Sequence, residues 1–189
     1  MLFSIYYIIT NALKTPQEFN ASQFFFPKGI HFENFRYIWT EGGIGVTFKN
    51  SIILCSISII VILIFGVLAG FAFTFIKIKG KKTLSYFIIS TMYISPMALV
   101  IPLYLQFMQL QLINSFFGII LIYTAFHLAY SIYLIVTYFK NIPEEIIEAA
   151  TIDGCSKMQL LTNILMPLSK SGLIVLSVIN FSLVWNEVL

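Results

Sequence analysis

The sequence predicts an all-α fold, a polytopic membrane helix bundle of four to five spans, on three observations. Of its 189 residues 59% are hydrophobic and only 10% charged, against about 25% charged in soluble domains. The few charges leave gaps wide enough to cross a bilayer. The 11 Lys and Arg residues sit in connectors that alternate between a lysine-rich and a lysine-poor side. A water-soluble globule is excluded, because 11 basic and 8 acidic side chains cannot cover a sphere of this size, so most of the exterior faces lipid or another apolar partner. With 19 Phe and 10 Tyr the composition is the reverse of a disordered one. A net charge of +3 is too mild for a phosphate-binding face and argues against nucleic acid as a partner.

Taken in order, Met1 to Leu13 carries no charge and reads as the end of a span that the sequence does not begin. No basic segment precedes it and no small-residue cleavage site follows, so it is not a secretory signal. Residues 1–44 are then the end of a first span plus an exterior segment. Thr15-Pro16 and Pro27-Lys28-Gly29 mark turns there, and the aromatic piece Phe32 to Trp39 forms a short interfacial helix. Phe32, Phe35, Tyr37 and Trp39 suit either an aromatic belt at the membrane surface or a docking surface for a partner protein.

Residues 45–189 make the membrane core. From Asn50 to Ile76 there are 27 uncharged residues, about 40 Å of helix against roughly 30 Å of hydrocarbon, so a span covers 50–76. The uncharged stretch from Thr83 to Phe139 holds 57 residues, nearly three times the roughly 20 that one crossing needs, and must fold back once. The amide-rich piece Gln106, Gln109, Gln111, Asn114 and Ser115 marks that turn, giving spans near 84–106 and 115–139. Pro96 and Pro102 kink the first of these and free backbone carbonyls, which either line a cavity or only distort the packing. A last span begins at 171 and is unfinished at 189, so both ends read as cut.

Orientation follows from the basic residues, since the cytoplasmic side carries their excess. Lys77, Lys79, Lys81, Lys82, Lys140, Lys157 and Lys170 lie on one side, and Lys14, Lys28, Arg36 and Lys49 on the other. The connector 140–170 is therefore cytoplasmic, and it is the most polar stretch within the chain. Pro143 opens a helix, with Glu144 and Glu145 at the positive end of its dipole. Asp153-Gly154 stops it, because glycine takes the left-handed conformation that ends helices. Ser156 caps a second helix carrying Leu160, Leu161 and Ile164, which Pro167 terminates. Two short helices about a hinge glycine expose Ala149 and Ala150, small enough for another backbone to come close. On helix periodicity alone the same segment also reads as an amphipathic connector resting in the headgroup layer.

The string Glu148-Ala149-Ala150, two residues, Asp153-Gly154, nine residues, Ile164, one residue, Met166-Pro167 resembles the EAA loop of binding-protein-dependent ABC transporter permeases. That pattern runs Glu-Ala-Ala, three residues, Gly, nine residues, Ile, one residue, Leu-Pro. Met166 replaces its Leu and Cys155 a common Ala, near-isosteric changes. Other segments are similar to the carbohydrate subgroup, which includes the maltose-type inner permease: Leu13 to Phe19, Phe32 to Phe35, Asn50-Ser51, Lys79 to Lys82, Ile101 to Tyr104, Tyr123 to Phe126 and Trp185 to Glu187. The resemblance implies a bundle of the type I ABC importer permease kind, multi-pass in the bacterial plasma membrane. Members of the subgroup usually have six spans, so it also implies a truncated chain. Implied partners are two ABC ATPase subunits, a second related permease subunit and an extracellular or periplasmic sugar-binding protein. Within the loop, the resemblance implies that Glu148 pairs with a basic residue in an ATPase cleft, that Ala149 and Ala150 allow the close fit and that Gly154 permits the turn. Asp153, Ile164 and Pro167 complete the coupling motif. ATP bound elsewhere then drives alternating access, and a sugar is imported.

Other signals point less far. Gly80-Lys81-Lys82-Thr83 lacks the glycine of a phosphate-binding loop, which Phe75 replaces. His127, inside an apolar span, reads either as part of a pathway or relay or as a neutral imidazole bonded to a neighbouring helix near Tyr123 or Ser131. Glu187, near the end of the chain, receives no role. Cys55 and Cys155, 100 residues apart, form neither a zinc pattern nor a disulfide framework. No nucleophile with its base, metal-binding pair or paired carboxylate stands out, so the chain reads as a non-catalytic subunit without a cofactor. The residues lining a sugar path stay unassigned. An ATPase-independent secondary transporter or channel, or an ABC permease for a non-sugar solute, is the competing reading. The former predicts paired ionisable groups at mid-membrane or an inverted repeat.

Overall fold

The computed structural model describes residues 2–186, and every regular element among them is a helix. Glu187 lies outside the described residues. The chain separates into two compact units, Met1–Ser51 and Ile52–Leu189.

In the first unit, α1 (Leu2–Ala12), α2 (Pro16–Ala21) and α3 (Glu33–Thr40) are tied together by local hydrogen bonds. Thr15 accepts the Glu18 backbone N–H at 3.2 Å and Pro16 takes the first helical position, so the Thr15-Pro16 turn signal is a helix start. Asn34 Nδ2 donates to the carbonyls of Ala12 (3.0 Å) and Lys14 (2.8 Å), satisfying groups that the end of α1 leaves open. The Lys14 ammonium is buried and donates to Asn11 Oδ1, Ser22 O and Gln23 O at 3.0, 2.9 and 3.2 Å, which uses all three of its hydrogens. Helix α3 forms where a short aromatic helix is expected, with Phe35, Tyr37 and Trp39 exposed along it.

The long helix α4 (Ile44–Phe75) begins before the unit boundary. After it come α5 (Lys81–Thr91), α6 (Pro96–Gln109), α7 (Phe116–Lys140), α8 (Glu144–Ile152), α9 (Lys157–Leu168) and α10 (Lys170–Trp185). Both α4 and α7 are long and apolar enough to cross a membrane alone. The pairs α5–α6 and α9–α10 meet that test only together, bent by 96° and 77°.

Two expectations change here. The stretch 84–106 is not one kinked helix: it breaks over residues 92–95, and Pro96 starts a new helix where its missing N–H costs nothing. Nor does Pro167 end the connector's second helix, which passes through it to Leu168. Residues Leu160–Leu165 form a π-helical turn, and the Met166 N–H donates five residues back to Leu161 O. That shifted register is the physical reason: the ladder is already displaced where the residue without an N–H enters.

Close packing about α7 builds the core. A Cβ on Gly70 would lie 2.5 Å from Ile135 Cγ2, and one on Gly172 would lie 2.7 Å from the Tyr138 ring. Only glycine lets α4 and α10 come so near. Val67, Phe71, Ile135, Phe139, Ala150, Leu160, Leu161, Leu165 and Leu176 form one buried cluster drawing on α4, α7, α8, α9 and α10. A second, smaller one joins Cys55, Ile62 and Val184. Between α7 and α10, Asn180 Nδ2 donates to Ser131 Oγ at 3.1 Å and to Leu176 O at 3.0 Å, both side chains fully buried.

Candidate functional site

The connector folds into a knuckle whose shape follows from three local devices. Glu144 and Glu145 occupy the first turn of α8, favourable beside its positive end. At the other end Gly154 has φ +78°, and two bonds close the turn: Cys155 N–H to Ala150 O at 3.0 Å and Gly154 N–H to Thr151 O at 3.1 Å. This is a Schellman cap, and it requires a residue at ease in the left-handed region. Two residues later Ser156 and Gln159 exchange side-chain bonds with each other's backbone N–H, at 3.3 and 2.8 Å, and launch α9.

Helix α8 then sorts its residues by face. Ile147 and Ala150, three apart, turn toward the core cluster, while Glu148, Ala149 and Ile152 stay exposed. Glu148, Ala149, Asp153 and Gly154 thus share one exposed tip. Ala150 does not: it is 5% exposed and packs within the chain. The expectation that both alanines face outward is corrected on that point, because the helical period puts one in and one out. Ile164 is half-buried against the core cluster, and Pro167 is exposed at the base of α9. His127 is half-buried on α7, where its backbone carbonyl accepts the Ser131 hydroxyl at 2.9 Å.

Ile152 and Met158, 85% and 61% exposed, flank Gly154 and were not singled out from the sequence. Their signal was available: large apolar side chains beside a turn in a polar connector. The same holds for Asn180, an amide inside an otherwise apolar run, where polar groups in a membrane mark packing or function.

Residues 39–189 match the family of binding-protein-dependent transport system inner membrane components, a stretch that contains the whole knuckle. The chain belongs to this family. As an inner membrane component it is a multi-pass membrane protein, in keeping with its apolar helices. It is 30% identical over 183 residues to the melibiose/raffinose/stachyose import permease protein of Bacillus subtilis, covering 96% of this chain and 66% of the relative. It is 26% identical over 183 residues to the diacetylchitobiose uptake system permease protein of Streptomyces coelicolor, covering 97% and 61%. In structure it resembles a chain of a bacterial ABC transporter involved in the import of the acidic polysaccharide alginate, with a TM-score of 0.86 and 25% identity over 98% of this chain and 65% of that one. This inner membrane component therefore spans under two thirds of the length of these relatives.

Proposed function

We propose that the chain is the membrane permease subunit of an ATP-driven sugar importer, coupled to separate ATPase subunits through the connector 140–170. The observation that carries the proposal is the two-sided knuckle. Its outer face offers Glu148, Ala149, Ile152 and Asp153, and its inner face is fixed by Ala150, Leu160, Leu161 and Leu165 to α4, α7 and α10. A push on the outer face reaches three membrane helices as a rigid-body load, because a close-packed interior transmits displacement. Family membership and the printed sugar cargoes of its relatives support the cargo class. A second permease and an external sugar-binding protein complete the assembly in this reading.

Glu148 supplies the charge for a basic residue in the ATPase cleft, and Ala149 keeps the approach low. Ile152 adds an apolar anchor whose burial stabilises docking by about 1.5–3 kcal/mol. The test is Glu148→Lys in the assembled transporter, read by ATPase co-purification and labelled-sugar uptake. Loss of both is expected, with the permease still in the membrane. Normal co-purification and uptake in that variant would overturn the coupling role.

A further inference from the structure

A cleft of about 170 Å³ opens between α5 and α7, with Phe73 of α4 behind it. That is room for a group several times the size of a water molecule, whose share of liquid volume is about 30 Å³. Two lysines stand at one end. Lys81 is the first residue of α5, half-buried, with its ammonium held by Thr74 O at 3.3 Å; Lys140 is the last residue of α7. None of the described residues lining the cleft is Asp or Glu. Beyond the lysines, Ile88, Ile132 and Val136 make an apolar wall. From Lys140 back to Ile132 the helix rises about 12 Å, as it does from Lys81 toward Ile89. Both lysines therefore sit at the same end of the cleft, the end that the charge pattern assigns to the cytoplasmic membrane boundary, and both walls run away from it.

We propose that this cleft holds one anionic phospholipid, its phosphate between Lys81 and Lys140 and an acyl chain along Ile88, Ile132 and Val136. The cationic mouth, with no acid to neutralise it, is complementary to a phosphate. The apolar wall gives the site its preference for a lipid over a free anion. Basic pockets between membrane helices recognise headgroups by this combination. Gly80, at φ +75°, sets the turn that returns Lys81 to the membrane boundary beside the end of α4.

The test uses the assembled, delipidated transporter in detergent, titrated with phosphatidylglycerol and followed by native mass spectrometry. One phosphatidylglycerol per copy of this chain is expected, ahead of phosphatidylcholine with the same acyl chains. Lys81→Gln with Lys140→Gln should weaken it roughly 30-fold, about fivefold per lysine near an anionic headgroup. Lys77→Gln with Lys79→Gln removes the same charge outside the cleft and should change binding less than about threefold. Undiminished binding in the Lys81/Lys140 variant, or equal binding of phosphatidylcholine, overturns the proposal. So does displacement by glycerol 3-phosphate at equal concentration, which marks a free-phosphate site, or crosslinking of both lysines to another protein subunit. Should the double variant fail to assemble, the three ligands compared on the unmodified transporter still decide the matter.

Discussion

The two alanines of the proposed coupling motif are assigned opposite tasks, and substituting each with leucine separates them. Ala150 is 5% exposed and shares a cluster with Phe139, Leu160, Leu161 and Leu165. Three added carbons have no room there, and overpacking of this kind costs about 1–3 kcal/mol. For a chain of this size 1 kcal/mol corresponds to about 2–4 °C, so Ala150→Leu should lower the melting temperature of the permease by roughly 2–12 °C. Ala149 is exposed, and Ala149→Leu should change stability by no more than about 0.5 kcal/mol. It does place bulk beside Glu148 and Ile152, so it should reduce ATPase co-purification while leaving the melt alone. The assay is a thermal melt of the permease without its ATPase, paired with pull-down of the ATPase. A melt unchanged by Ala150→Leu together with lost docking would refute the reasoning, because Ala150 would then lie at the interface and not in the core.

Gly154→Ala should destabilise by about 1–2 kcal/mol through backbone conformation alone, since nothing lies within 4 Å of an added Cβ while φ is +78°. Gly154→Asn should cost less than Gly154→Val, because Asn tolerates the left-handed region; identical melts for the two would count against the cap. Cys155 is exposed and Cys55 buried, so a membrane-impermeant maleimide should label Cys155 in inside-out vesicles and spare it in intact cells. Labelling of intact cells would reverse the assigned orientation. A double-mutant cycle on Ser131→Ala and Asn180→Leu should give a coupling of about 0.6 kcal/mol, at most about 1.7, as for other membrane-embedded hydrogen bonds. A coupling of zero would mean that the buried pair contributes nothing to holding α7 against α10.

What could be read from the chain was what is local. Pro143, Gly154 and Ser156 act on their own turn of backbone, and the knuckle's two helices begin and end beside them. Charge gaps located α4 and α7 because the cost of a buried charge does not depend on the neighbouring helix. What escaped depends on partners. Which alanine of the pair faces inward is decided by the cluster around Phe139 and Leu165, which lies in other elements. Gly66 and Gly70 are four apart on α4, a spacing visible in the sequence, but only the position of Ile135 against them gives it meaning. The π-helical turn had no sequence signature beyond Pro167 itself. Lys14 reads from the sequence only as a loop charge, because the carbonyl oxygens of Ser22 and Gln23 that enclose its ammonium are brought there by the fold.

The two bent helix pairs are not mechanically equivalent, and the difference bears on how a load would travel. At the 77° bend the backbone ladder is kept on both sides of Ser169: its N–H donates to Leu165 O and its carbonyl accepts the Leu173 N–H, each at 2.9 Å. Leu165 is fully buried one turn before it and Leu176 two turns after it, both in the same cluster. The two bonds end at Ser169 from opposite sides, so what resists further bending is the packing around the buried Leu165 and Leu176, which makes this junction the stiffer of the two. At the 96° bend the bonds leading out of α5 reach back only three residues, Met92 to Ile89, Tyr93 to Ser90 and Ile94 to Thr91. Tyr93, Ile94 and Met97 around it are exposed, so none of the described residues of the second unit covers these side chains. A load on the knuckle would therefore pass to α10 through the packed Ser169 junction, while α6 can change its angle to α5 at low cost. In the proposed importer, alternating between two openings, the 77° bend is suited to carry the stroke and the 96° bend to yield to it.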